Sequence, residues 1–94
     1  MLDKSAFDKL VWKSKLKFEQ KYVLLSLLRI AEEDGFTVHC SKLMLSLMTN
    51  LSEKTIQRQL RSLTRLGWIE VVEETKHHLP RVYKIKNPGE KRGL

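Results

Sequence analysis

Four basic residues, Lys54, Arg58, Arg61 and Arg65, recur at spacings of four, three and four. An α-helix turns roughly 100° per residue, so this spacing gathers them on one narrow stripe. Ile56, Leu60 and Leu63 fall on nearly the opposite stripe, and Gln57 lies beside the cations. Ser52 stands where an N-cap is needed, and Gly67 where a helix ends through the left-handed region. Such a helix buries one face and offers Arg, Lys and Gln on the other, which suits a DNA major groove. Arg58 and Arg61 can pair bidentately with guanine and Gln57 with adenine, while Lys54 suits a phosphate. Ser41, Ser52 and Thr55 can add hydroxyl or backbone contacts to phosphates at helix N-termini. The competing reading is a solvated charged face, with Arg65 merely offsetting the helix dipole.

Composition bears on that choice. The chain has 94 residues, enough for one compact domain and too few for two. Its 18 basic residues outnumber 11 acidic ones, for a net charge of +7, which favours a polyanionic partner such as nucleic acid or an anionic membrane surface. A single cysteine, Cys40, excludes an intrachain disulfide and fits a reducing, cytoplasmic setting. The start, MLDKSAFDKL, carries acids and no long apolar core, so it does not read as a signal peptide. The longest apolar stretch, Tyr22 to Ala31, is broken by Ser26 and Arg29 and is too short to span a bilayer. The expectation is a soluble protein with no membrane partner.

The elements that must position the basic stripe can be read from periodicity. Ser5 is a candidate cap for a short first helix to about Lys13, with Phe7, Leu10 and Val11 on one side; an extended arm is the alternative. Phe18 to Glu33 reads as a central helix with little polar face, ended by Asp34-Gly35. Phe36 to Val38 favours a short extended piece. Ser41 caps a brief helix to about Thr49, Asn50 makes a turn, and Ser52 opens the basic helix. After Gly67 the period becomes two. Strands are expected from Trp68 to about Glu74 and from Val82 to Lys86, joined by a polar connector.

This order resembles a winged helix-turn-helix domain, most specifically in LSEKTIQRQLRSLTRLGWIEV, Leu51 to Val71. The upstream LKFEQKYVLLSLLRIAEEDG is similar to the first helix of amino-terminal domains of phage and plasmid replication proteins. The same general pattern occurs in small bacterial transcription regulators. The resemblance runs from about Leu16 to Ile85 and implies a mainly α fold with a small β-hairpin. Residues 1–15 would be an arm or extra helix, 16–86 the winged domain and 87–94 a flexible tail. It also implies sequence-specific binding of double-stranded DNA, in transcription regulation or replication initiation. The family's groove-reading positions fall on Glu53, Lys54, Thr55, Gln57, Arg58 and Arg61. Wing strands of this family are often basic, yet Glu70, Glu73 and Glu74 follow the basic helix here. Acids repel a phosphate backbone, so wing contacts are expected from Lys76, His77, His78 and Arg81 instead.

The helix from Lys42 to Met48 departs from a simple scaffold. The resemblance implies that Leu45 and Thr49 face the core, which turns Leu43 and Leu47 outward with Met44 and Met48 beside them. The amino-terminal segment around Phe7, Leu10, Val11 and Trp12 is the favoured cover for that face. A second subunit or another protein docking at Leu43 and Leu47 is the alternative, in which the winged helix would be an interaction module. Catalysis finds little support: the four glycines are scattered, Glu32, Glu33 and Asp34 read as a solvated cluster, and Cys40 beside His39 lacks a nucleophile's geometry. His39, Cys40, His77 and His78 match no trusted zinc spacing. No cofactor or metal is expected, and Trp12 and Trp68 read as packing residues.

Overall fold

The computed structural model describes residues 4–34, 36–73 and 81–86. Their order is α1 (Lys4–Lys13), α2 (Phe18–Ile30), β1 (Thr37–Cys40), α3 (Lys42–Thr49), α4 (Glu53–Leu66), β2 (Ile69–Glu73) and β3 (Arg81–Ile85). Local chemistry sets most of these boundaries. Ser41 Oγ accepts from Met44 N at 3.0 Å to start α3, and Ser52 Oγ accepts from Thr55 N at 3.1 Å to start α4. Between them Asn50 takes the left-handed conformation, φ 62°, which makes the tight turn of the helix pair. Gly67 ends α4 at φ 88°, a conformation that a side chain would penalise.

The three helices α2, α3 and α4 pack around one core with Val23, Leu24, Leu27, Leu45, Ile56 and Leu63 at its centre. A sheet closes its side. Its strands run in the order β1-β3-β2, and both pairings are antiparallel. Val38, Cys40, Ile69, Tyr83 and Ile85 point inward from it. An irregularity between Val71 and Glu73 interrupts the β2–β3 register and leaves Val72 exposed.

Several sequence expectations are corrected here. The expected hairpin is present as β2–β3, and Thr37 to Cys40 adds a third strand by pairing with β3. The central helix stops at Ile30, three residues early. Ala31 turns extended and Glu32 N donates to Thr37 O, which commits the chain to the turn before β1. Asp34 holds that turn, accepting from the backbone N–H of both Phe36 and Thr37 at 2.9 Å and from the Thr37 hydroxyl. The hydroxyl bond first, and then the backbone bonds, lower the Asp34 carboxyl from its ordinary value to about 2. Ser5 is no cap, since α1 already includes Lys4. The start of α2 is less buried than its composition implied, with Phe18 75% exposed.

The largest correction concerns the amino-terminal helix. Phe7 and Val11 are buried, but not over α3. They enter the common core, where Phe7 meets Trp68 edge-on with ring centroids 6.0 Å apart. Trp68 therefore packs as expected, whereas Trp12 is 56% exposed on the outer side of α1. Leu47 stays 77% exposed and Leu43 54% exposed. Full burial of Phe7 and Val11 in the common core, with Trp68 as the ring partner of Phe7, holds α1 there.

Candidate nucleic-acid interface

Helix α4 carries the candidate site. Its inward side buries Ile56, Leu60 and Leu63, together with Gln59, which the sequence reading did not assign to the core. That anchoring turns Lys54, Arg58, Arg61 and Arg65 outward, and all four are exposed. The described ion pairs are His39 with Glu32 at 2.9 Å and Lys86 with Glu70 at 2.7 Å, and neither involves the α4 cations. Folding thus brings together on one stripe like charges that have no ion-pair partner among the described residues. An external anion would relieve the repulsion along the stripe.

At the start of α4 the polar groups form a chain. The Ser52 hydroxyl donates to Thr55 Oγ1 at 3.0 Å, and Arg58 Nη2 lies 3.4 Å from the same oxygen. Ser52 is occupied by capping, so its remaining use is to set the position of Thr55. Arg58 leans toward the helix N-terminus, where it can aim its fork at a base edge or phosphate. Gln57 is exposed one residue away. Ser41 is likewise committed to its own cap.

Beside the stripe lies a groove of about 510 Å3 lined by Lys42, Gln57, Arg61, Thr64, Arg65 and Arg81, with Leu60, Val71 and Tyr83 forming its apolar part. The sheet register explains the assembly. Cys40 pairs with Arg81, so the residues that follow Cys40 open α3 next to the first residue of β3. Three elements therefore contribute cations to one edge of α4. Lys42 was missed in the sequence, because its nearness to Arg81 depends on a pairing between distant segments. Arg81 lines this groove. Lys76, His77 and His78 lie outside the described residues. Glu70 is paired with Lys86, which neutralises one of the acids that follow α4.

Other candidate chemistry is not assembled. His39 and Cys40 point to opposite faces of β1, one exposed and one buried. Burial pushes the Cys40 thiol up to about 12, so it stays protonated and poorly nucleophilic. Among the described residues no group of three His, Cys, Asp or Glu side chains could hold a metal ion. Among them, too, no helix is long and apolar enough to cross a membrane.

No family model matches the chain, and no curated protein does. Its fold is similar to that of NMB1585, a MarR family regulator from Neisseria meningitidis, with a TM-score of 0.57 and 19% sequence identity. The match covers 96% of this chain and 58% of that one, so the chain spans little more than half the regulator's length. The likeness establishes the fold: a winged helix-turn-helix, with α3 and α4 as its helical pair and β2–β3 as its wing.

Proposed function

We propose that this domain binds double-stranded DNA in a sequence-dependent way, with α4 in the major groove. Arg58, Arg61 and Gln57 read base edges, Lys54 holds phosphate, and Arg81 with Lys42 holds the backbone beside the wing. Ser41, Ser52 and Thr55 lie at the helix N-termini that approach phosphate. The observation that carries this reading is the exposed cation stripe of α4, which has no ion-pair partner among the described residues. The structural neighbour's description as a regulator supports a role in transcription control rather than in replication initiation.

Selection of bound duplexes from a random pool at moderate salt tests the proposal. A recovered consensus is expected. Arg58→Ala should then weaken the selected duplex by about 1–3 kcal/mol and relax preference at one base position. Lys54→Ala should instead weaken all duplexes alike and reduce the salt slope by about one unit. If both variants bind every duplex as the wild type does, α4 is not the reading helix.

A separate observation favours a second reading. Leu43, Met44, Leu47 and Met48 form an exposed apolar face on α3, and such contiguous faces mark interaction sites. A protein partner docking there would make the domain an interaction module. A second copy there would add a second α4 and a related half-site on the same duplex.

A further inference from the structure

The run Lys13-Ser14-Lys15-Leu16-Lys17 joins α1 to α2 and alternates lysines with residues that serve the fold. Ser14 accepts from Leu16 N at 3.4 Å and donates to Val11 O at 2.6 Å, while Leu16 packs on the core. Lys13, Lys15 and Lys17 are left exposed, and none is in a described ion pair. The junction is tied directly to α4 by one side chain. Gln20 Oε1 accepts from Lys17 N at 2.8 Å, and Gln20 Nε2 donates to Ser62 Oγ at 2.6 Å. Ser62 lies four residues after Arg58 and three before Arg65, so it is their surface neighbour on the helix. Lys17 is thereby held one amide away from the edge of the cation stripe.

This edge is not the one that faces the groove with Lys42 and Arg81. Gln57 and Thr64, which line that groove, stand roughly 150° around α4 from Ser62 at about 100° per residue. The protein therefore has cations on both flanks of α4 as well as along its crest. A helix in a major groove about 12 Å wide has one phosphate strand on each side.

We propose that Lys15 and Lys17 hold the phosphate strand opposite to the one met by Lys42 and Arg81, so that the α1–α2 junction and the wing side clasp the duplex across α4. This inference rests on the reading of α4 as the groove helix. The two lysines contribute charge without base recognition, so they set affinity and salt dependence and leave the sequence preference to Arg58 and its neighbours.

The double variant Lys15→Gln/Lys17→Gln tests this against wild type and Arg58→Ala. Each is titrated with the selected duplex and a scrambled one over a range of salt. The expected result is a slope of log affinity against log salt lower by about 1.8 units, at about 0.9 per phosphate contact, with an unchanged preference for the selected duplex. If wild type binds and Arg58→Ala loses preference but the double variant keeps the full slope, the clasp is wrong and the reading of α4 stands. If wild type prefers no duplex and binds none, both fall together. Phosphatidylserine vesicles form a separate arm. Loss of vesicle binding in the double variant, with duplex binding intact, would reassign the lysines to a lipid surface and overturn the inference.

Discussion

Helices α3 and α4 are neighbours in one motif, and they solve the same inward problem alike. Each starts on a serine cap and buries one side in the shared core, through Leu45 and Thr49 in α3 and through Ile56, Leu60 and Leu63 in α4. Their outward sides have opposite chemistry. On α4 stand Lys54, Arg58, Arg61 and Arg65; on α3 stand Leu43, Met44, Leu47 and Met48. The contrast separates two roles that composition alone blends together. Inward residues decide that the helix pair forms, and outward residues decide what it meets.

That separation is most sharply tested within α3, where buried and exposed leucines are two residues apart. Leu45→Ala should destabilise the domain by about 2–5 kcal/mol, because it opens a cavity that the core closes only in part. Leu47→Ala should change stability by no more than about 0.5 kcal/mol, because its side chain is already in water. Urea denaturation of the two variants gives both numbers. Equal losses would mean that the outer face of α3 is held by contacts within the fold, and the comparison would collapse.

The two caps allow a finer test. Ser41→Ala and Ser52→Ala should each cost about 1 kcal/mol, since each leaves a helix-start N–H without its side-chain acceptor. Their effects on DNA should differ. Ser52 also steadies Thr55, whose hydroxyl oxygen meets Arg58, so Ser52→Ala should loosen the arginine and reduce sequence preference. Ser41→Ala has no such link to Arg58. Thermal melting and duplex titration of both variants check the pair, and equal loss of preference would disconnect the cap from the reading side chain.

What was legible in the sequence divides along a similar line. Helix α4 was readable because its pattern is strong, its ends are marked by Ser52 and Gly67, and all of that information is local. The brief helix α3 was readable from its Ser41 cap and Asn50 turn, but its inward Leu45 and Thr49 came from the resemblance to winged helices, because a helix apolar all round does not mark its own buried side. Pairing of β1 with β3 was not readable, since a four-residue strand carries little pattern and its partner is some forty residues away. That pairing is what brings Lys42 to Arg81, so half of the groove was hidden while the stripe was plain. The bond of Gln20 to Ser62 spans 42 residues and was hidden for the same reason. Trp12 misled by residue type: its neighbour Val11 points into the core, and one residue further around α1 the ring faces water.

The smallest expected effect is the most informative about the apolar face. Leu47→Glu replaces an exposed leucine by a charge, and nothing in the core depends on that side chain. Folding stability should stay within about 0.5 kcal/mol of wild type, and affinity for the selected duplex should be unchanged for a monomer. If two copies meet through α3, the substitution puts a carboxylate from each into an apolar contact, where desolvation disfavours it. Sedimentation should then give folded monomers from the variant and dimers from the wild type, with weaker DNA binding through loss of the second half-site. Dimers that persist in Leu47→Glu would exclude α3 as the subunit contact and leave its apolar face to a different partner. A large loss of stability would instead show that the leucine serves the fold, and the division between inward and outward residues would have to be redrawn at α3.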